Sequence, residues 1–77
     1  MLVNDYEGDI TRGTLLLIER GAVLKSNSYI SRFFEEHEYC LYLGYNRGSE
    51  EHHILCNNQT YQLNQITLMS KTYIIQN

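Results

Sequence analysis

Two turn signals ten residues apart, Arg47-Gly48 and Asn57-Asn58, constrain this chain more than anything else in it. Around them, residues 38–63 read "EYCLYLGYNRGSEEHHILCNNQTYQL" and alternate with a period of two, the period of a β-strand. Gly48 is free to take positive φ. Asparagine tolerates the left-handed region, so Asn57-Asn58 suits a two-residue hairpin. With the tips at these dipeptides, Leu43 stands opposite His52, Leu41 opposite Ile54 and Tyr39 opposite Cys56. Across the second turn Ile54 faces Tyr61 and His52 faces Leu63. Both turns give one consistent parity, which predicts a three-stranded meander. One face then carries Tyr39, Leu41, Leu43, Tyr45, Ile54, Cys56, Tyr61 and Leu63, and reads as the core. The other carries Cys40, Tyr42, Gly44, His53, Leu55, Thr60 and Gln62, with a row Tyr42–His53–Gln62 crossing all three strands.

The flanking segments extend this pattern. "GTLLLIERG" is an apolar run of strand length between Gly13 and Gly21; being apolar on both faces, it belongs in the middle of a sheet. A short leading strand is expected around Leu2 and Val3. In "SNSYISRFFEEHE", Ile30, Phe33, Phe34 and His37 fall at i, i+3, i+4 and i+7, which predicts a short helix near residues 28–37 capped by Asn27 or Ser28. Phe33 and Phe34 would plug the end of the core. "NQITLMSK" alternates, with Ile66 and Leu68 on one side, and "TYIIQN" is apolar, so both predict short strands. The expected fold class is mainly β: a small barrel or rolled antiparallel sheet of five to six short strands in a single domain spanning residues 1–77.

Charge and composition narrow the function. The net charge is −3, and six scattered cations, Arg12, Arg20, Lys25, Arg32, Arg47 and Lys71, give no basic stripe for phosphate contacts. No stretch approaches the roughly 18 apolar residues of a membrane span. The first residues lack a signal-peptide pattern. A cytoplasmic setting and reduced thiols are therefore expected.

The order of elements resembles that of small SH3-like β-barrels, particularly short ones among the accessory proteins of tailed bacteriophages. A glycine-opened strand "RGTLLLIERG" precedes a variable excursion; an aromatic strand "YCLYLGYN", a hairpin into "HHILCNNQTYQL" and a closing strand follow. The resemblance covers about residues 12–70. It implies a virus-encoded module in a host cytoplasm that occupies a host protein such as a defence or transcription factor. It does not imply proline-motif binding, because the chain has no tryptophan to line such a groove.

Cys40, His52, His53 and Cys56 are metal-ligand types, yet no C-x-x-C or H-x-x-x-H spacing is present. The hairpin parity above places Cys40 and Cys56 on opposite faces, which argues against both a metal site and a disulfide. The same parity leaves Cys40 and His53 as the one conceivable nucleophilic pair, without an orienting third group. The pairs Glu35-Glu36 and Glu50-Glu51 read as solvated ends of elements. The expectation is thus a non-enzymatic protein without cofactor or metal that binds a protein partner through Tyr42, His53, Gln62 and Arg47. A homodimer paired through Tyr73–Ile75 is a second use, and nucleic-acid binding by exposed aromatics is the alternative reading. A small metal-binding protein is a further alternative.

Overall fold

The structure is a computed structural model that describes residues 10–26 and 30–75. The strand expected around Leu2 and Val3 and the cap at Asn27 or Ser28 lie outside these. In chain order the elements are β1 (Leu15–Ile18), β2 (Val23–Ser26), β3 (Ile30–Phe33), β4 (Glu38–Asn46), β5 (Glu51–Cys56), β6 (Gln59–Leu63), α1 (Gln65–Lys71) and β7 (Thr72–Ile74). All seven strands join one antiparallel sheet in the order β3-β2-β6-β5-β4-β1-β7. The fold is mainly β, a rolled antiparallel sheet with one short helix.

The inner face of the roll holds Leu16, Ile18, Leu24, Cys40, Tyr42, Ile54, Cys56, Leu63 and Ile74, and α1 adds Leu68. β1 lies between β4 and β7. Its apolar run on both faces fits that interior position: Leu16 and Ile18 are fully buried, while Leu15 and Leu17 face outward. Backbone bonds from Glu19 N–H to the Lys71 carbonyl and from Phe34 N–H to the Ala22 carbonyl, 2.8 and 3.0 Å, tie the connecting segments to this frame.

The second hairpin has the register its sequence predicts. Ile54 stands opposite Tyr61, His52 opposite Leu63 and Cys56 opposite Gln59. Asn57 and Asn58 both take positive φ, 51° and 63°, the signature of a type I′ turn whose twist matches its strands. The first hairpin differs twice. Its loop runs over residues 47–50, two residues longer than expected, and β4 bulges between Tyr42 and Gly44. Lengthening the loop by two preserves the parity of facing side chains; one extra residue in a bulge reverses it.

That reversal corrects the expected core face. Leu41 stands opposite Leu55 and Tyr42 opposite Ile54, so Cys40 and Tyr42 point inward while Tyr39 and Leu41 point outward. Tyr42 is 4 % exposed and Tyr39 65 %. Beyond the bulge Tyr45, rather than the expected Leu43, stands opposite His52, with ring centroids 4.7 Å apart. Gly44 sits at φ +146°, a conformation essentially reserved for glycine, and so makes the bulge possible.

The helix also lies elsewhere than expected. Residues 30–33 form β3, paired to β2 with Val23 opposite Phe33 and Ser26 opposite Ile30. Isoleucine and phenylalanine favour a pleated surface over a helix. Phe33 is exposed, and Phe34 alone plugs the core, packing edge-to-face on Tyr61 at 5.4 Å. α1 forms instead where a strand was expected. The Asn64 side chain accepts the Thr67 N–H at 2.8 Å and caps it. Ile66 and Leu68, expected on one strand face, stand on opposite sides of the helix at 76 % and 2 % exposure.

Candidate functional site: the outer face of the sheet

With Cys40 and Tyr42 turned in, the outer face acquires an apolar character that the sequence alternation had hidden. Strand register lines up two rows. Tyr73, Leu17 and Tyr39 form one across β7, β1 and β4. Leu15, Leu41, Leu55 and Thr60 form the other across β1, β4, β5 and β6; Ile75 joins its end through its N–H to the Leu15 carbonyl at 3.0 Å. Leu15, Tyr39 and Leu41 are exposed, and Leu17, Leu55, Tyr73 and Ile75 are half-buried. At about 4.8 Å between strands, the apolar patch from β7 to β5 is about 14 Å wide. Tyr73 donates its hydroxyl to the Glu19 carboxylate, which together with partial desolvation keeps the phenol protonated above its ordinary range.

The other half of the face is polar. Lys25 stands opposite Gln62, Gln62 opposite His53, and His53 opposite Gly44 at the bulge. The Lys25 ammonium lies 3.4 Å from the Glu51 carboxylate. Thus the structure brings together His53 and Gln62, two of the four binding residues expected from sequence. Gln62 Oε1 is buried there without a hydrogen-bond partner among the described residues. Arg47 is exposed in the β4–β5 loop. Tyr42 is separated from His53 and Gln62 by the sheet.

Tyr42 belongs instead to a polar chain in which Tyr42 and His52 are buried and Gln65 is exposed. Its hydroxyl lies 2.8 Å from Nδ1 of His52, whose Nε2 lies 2.7 Å from Gln65 Oε1. With the amide oxygen accepting, Nε2 carries the proton and Nδ1 accepts from the Tyr42 hydroxyl. Both ring nitrogens of His52 are engaged within this chain of contacts, so neither is open to a metal or a substrate. The chain's physical effect is to fasten α1 to β5 and β4.

The thiols are placed contrary to expectation as well. Cys40 and Cys56 both point into the core, the Cys40 thiol toward the Glu38 carbonyl at 3.9 Å and the Cys56 thiol toward the Tyr39 carbonyl at 3.7 Å. Burial, then the contact with Cys56, pushes the Cys40 thiol far above its ordinary value of 9.0. Burial also raises Cys56, but the hydrogen bond from Cys40 offsets part of that rise. Cys40 and His53 stand on opposite faces of the sheet, so they do not form a pair. Among the described residues no group of three or more histidine, cysteine, aspartate or glutamate side chains is placed to hold a metal. Among those residues, too, no helix is long and apolar enough to cross a membrane.

The residues that sequence reasoning missed are Leu15, Leu17, Tyr39, Leu41 and Leu55. A signal for them was present: "LLLI" in β1 is apolar on both faces, so its outward leucines need outward neighbours. Compared with known proteins, the chain matches no family model, no curated protein and no solved structure.

Proposed function

We propose that this chain is a non-enzymatic binding module that docks a protein partner on the outer face of β7, β1, β4 and β5. One observation carries the reading: the exposed row Leu15–Leu41, continued by Leu55 and flanked by Tyr39, lies on a sheet face that nothing within the described chain covers. Contiguous exposed apolar surface of this kind marks interaction sites, and tyrosine is enriched among the anchors of protein interfaces. His53 and Gln62, with Lys25 and Glu51, supply the polar rim that such an interface uses for orientation. A net charge of −3 favours a protein over a nucleic acid. The resemblance in strand order suggests a phage-type accessory protein acting on a host protein as the setting.

The test compares the wild-type chain with Leu41→Arg. Leu41 is outward, so the variant keeps its fold, checked by circular dichroism. Affinity capture from a bacterial lysate and light scattering at two concentrations are then run on both proteins. A partner, or self-association, present in the wild type and lost in Leu41→Arg supports the reading. Identical behaviour of the two proteins overturns it.

A further inference from the structure

The two cysteines form a structural unit that the docking surface does not use. The ladder between β4 and β5 pairs Tyr42 with Ile54 and Leu41 with Leu55, and one step further sets Cys40 directly opposite Cys56. Backbone hydrogen bonds give the class of that pair. Tyr42 uses its N–H and carbonyl on the β1 side, bonding the Thr14 carbonyl at 2.9 Å and the Gly13 N–H at 2.8 Å. Backbone groups alternate sides along a strand, so Cys40, two residues back and opposite Leu16 of β1, also points its own toward β1. On the other strand, Cys56 flanks the two-residue turn opposite Gln59 and bonds toward β6. Cys40 and Cys56 therefore face each other as a non-hydrogen-bonded pair, the class with the closer Cα separation of about 4.5 Å and the closer side chains. That separation lies inside the window of about 4.4–6.8 Å that a disulfide requires.

We infer that Cys40 and Cys56 are a thiol-oxidation site that hydrogen peroxide converts into a cross-strand disulfide between β4 and β5. Cys56 is buried like Cys40 but directly flanks the exposed Asn57-Asn58 turn, and it attacks first. Its thiolate sulfur takes one peroxide oxygen, the O–O bond breaks, and Cys56 becomes a sulfenic acid as the first water leaves. Cys40 then displaces the hydroxyl from the Cys56 sulfur, the S–S bond forms, and a second water departs. Two thiols give up two electrons and two protons, and one peroxide becomes two waters. The bridge closes the chain between residues 40 and 56, directly beneath Tyr39, Leu41 and Leu55.

Hydrogen peroxide is added to the folded wild-type protein, and the product is read by intact mass, peptide mapping and thiol titration in denaturant. The expected product is monomeric, has lost two hydrogen atoms and both thiols together, maps to a Cys40–Cys56 link, and returns to the dithiol with dithiothreitol. In Cys40→Ser the expected product is a Cys56 sulfenic acid trapped by a dione probe. Wild-type mapping decides the matter without the variant if Cys40→Ser fails to fold. Disulfide-linked dimers, separate over-oxidation of each sulfur, or two thiols unchanged by peroxide that oxidises the urea-unfolded chain would each overturn the assignment.

Discussion

Replacing Gly44 with alanine isolates the feature on which the face assignment turns. A Cβ added at Gly44 meets no atom within 4 Å, so Gly44→Ala introduces no clash. Its cost is conformational: at φ +146° an L-residue is held in a region that costs about 1–3 kcal/mol. A chain of 77 residues has a total stability of roughly 4–12 kcal/mol at the usual 0.05–0.15 per residue. The substitution thus removes a large share, and the melting temperature falls by about 4–8 °C for each kcal/mol. Gly48→Ala is the matched control. Gly48 has no positive φ, and its Cβ would meet only Asn46 Oδ1, at 3.3 Å, the oxygen that also accepts from the Gly48 N–H at 2.9 Å. Urea unfolding followed by circular dichroism compares the two variants with the wild type. A Gly44→Ala loss below about 0.5 kcal/mol, or one equal to that of Gly48→Ala, would refute a bulge that depends on glycine. If the variant escapes strain by slipping register instead, Cys40 turns outward and its reaction with a thiol reagent accelerates.

Three further outcomes follow from the same geometry. Tyr42→Phe deletes the hydroxyl that His52 Nδ1 accepts, leaves a buried nitrogen unpaired and costs about 1–3 kcal/mol in urea unfolding; an unchanged midpoint contradicts the polar chain. Leu41→Arg stays within about 0.5 kcal/mol of wild type, because an outward position gives up little buried contact, and a loss several times larger contradicts the outward placement. The raised Cys40 thiol stays neutral in the folded state while the unfolded chain ionises above pH 9, so its contribution is intact below 9 and lost as the pH rises. Stability should therefore fall by about 1.4 kcal/mol per pH unit above 9 for this thiol, and midpoints that are flat from pH 8 to 10 contradict its burial.

Sequence carried the second hairpin and missed the first for a single reason. Asn57-Asn58 states its own turn type, since two adjacent asparagines satisfy the positive φ of a type I′ turn, and the register follows from the turn. The first hairpin has no such self-defining tip. Its loop closes over residues 47–50, and the bulge beside Gly44 leaves no mark in the alternation, because leucines and tyrosines occupy both faces of β4. Unbroken alternation puts Tyr45, beyond the bulge, on its true side, and Tyr39, Leu41 and Tyr42, before it, on the wrong one. The helix misreading has the opposite origin. Ile30, Phe33, Phe34 and His37 matched a helical spacing by coincidence, while the real helix signal was one capping asparagine, Asn64, and was outweighed by a short alternation at Ile66 and Leu68. Of the candidate site, the His53–Gln62 pair was legible because it hangs on the asparagine turn. The apolar rows were not, because they depend on the bulge.

The central claim is the inward turn of Cys40 and Tyr42 that leaves Tyr39 and Leu41 outside. Cross-strand contacts between α-protons, measured by nuclear Overhauser spectroscopy on the reduced protein, test it most directly, since these protons approach closely only in non-hydrogen-bonded pairs. The account predicts strong contacts for Tyr42 with Ile54 and for Cys40 with Cys56. Strong contacts for Leu41 with Ile54 and for Leu43 with His52 would contradict it and return the tyrosine to the surface.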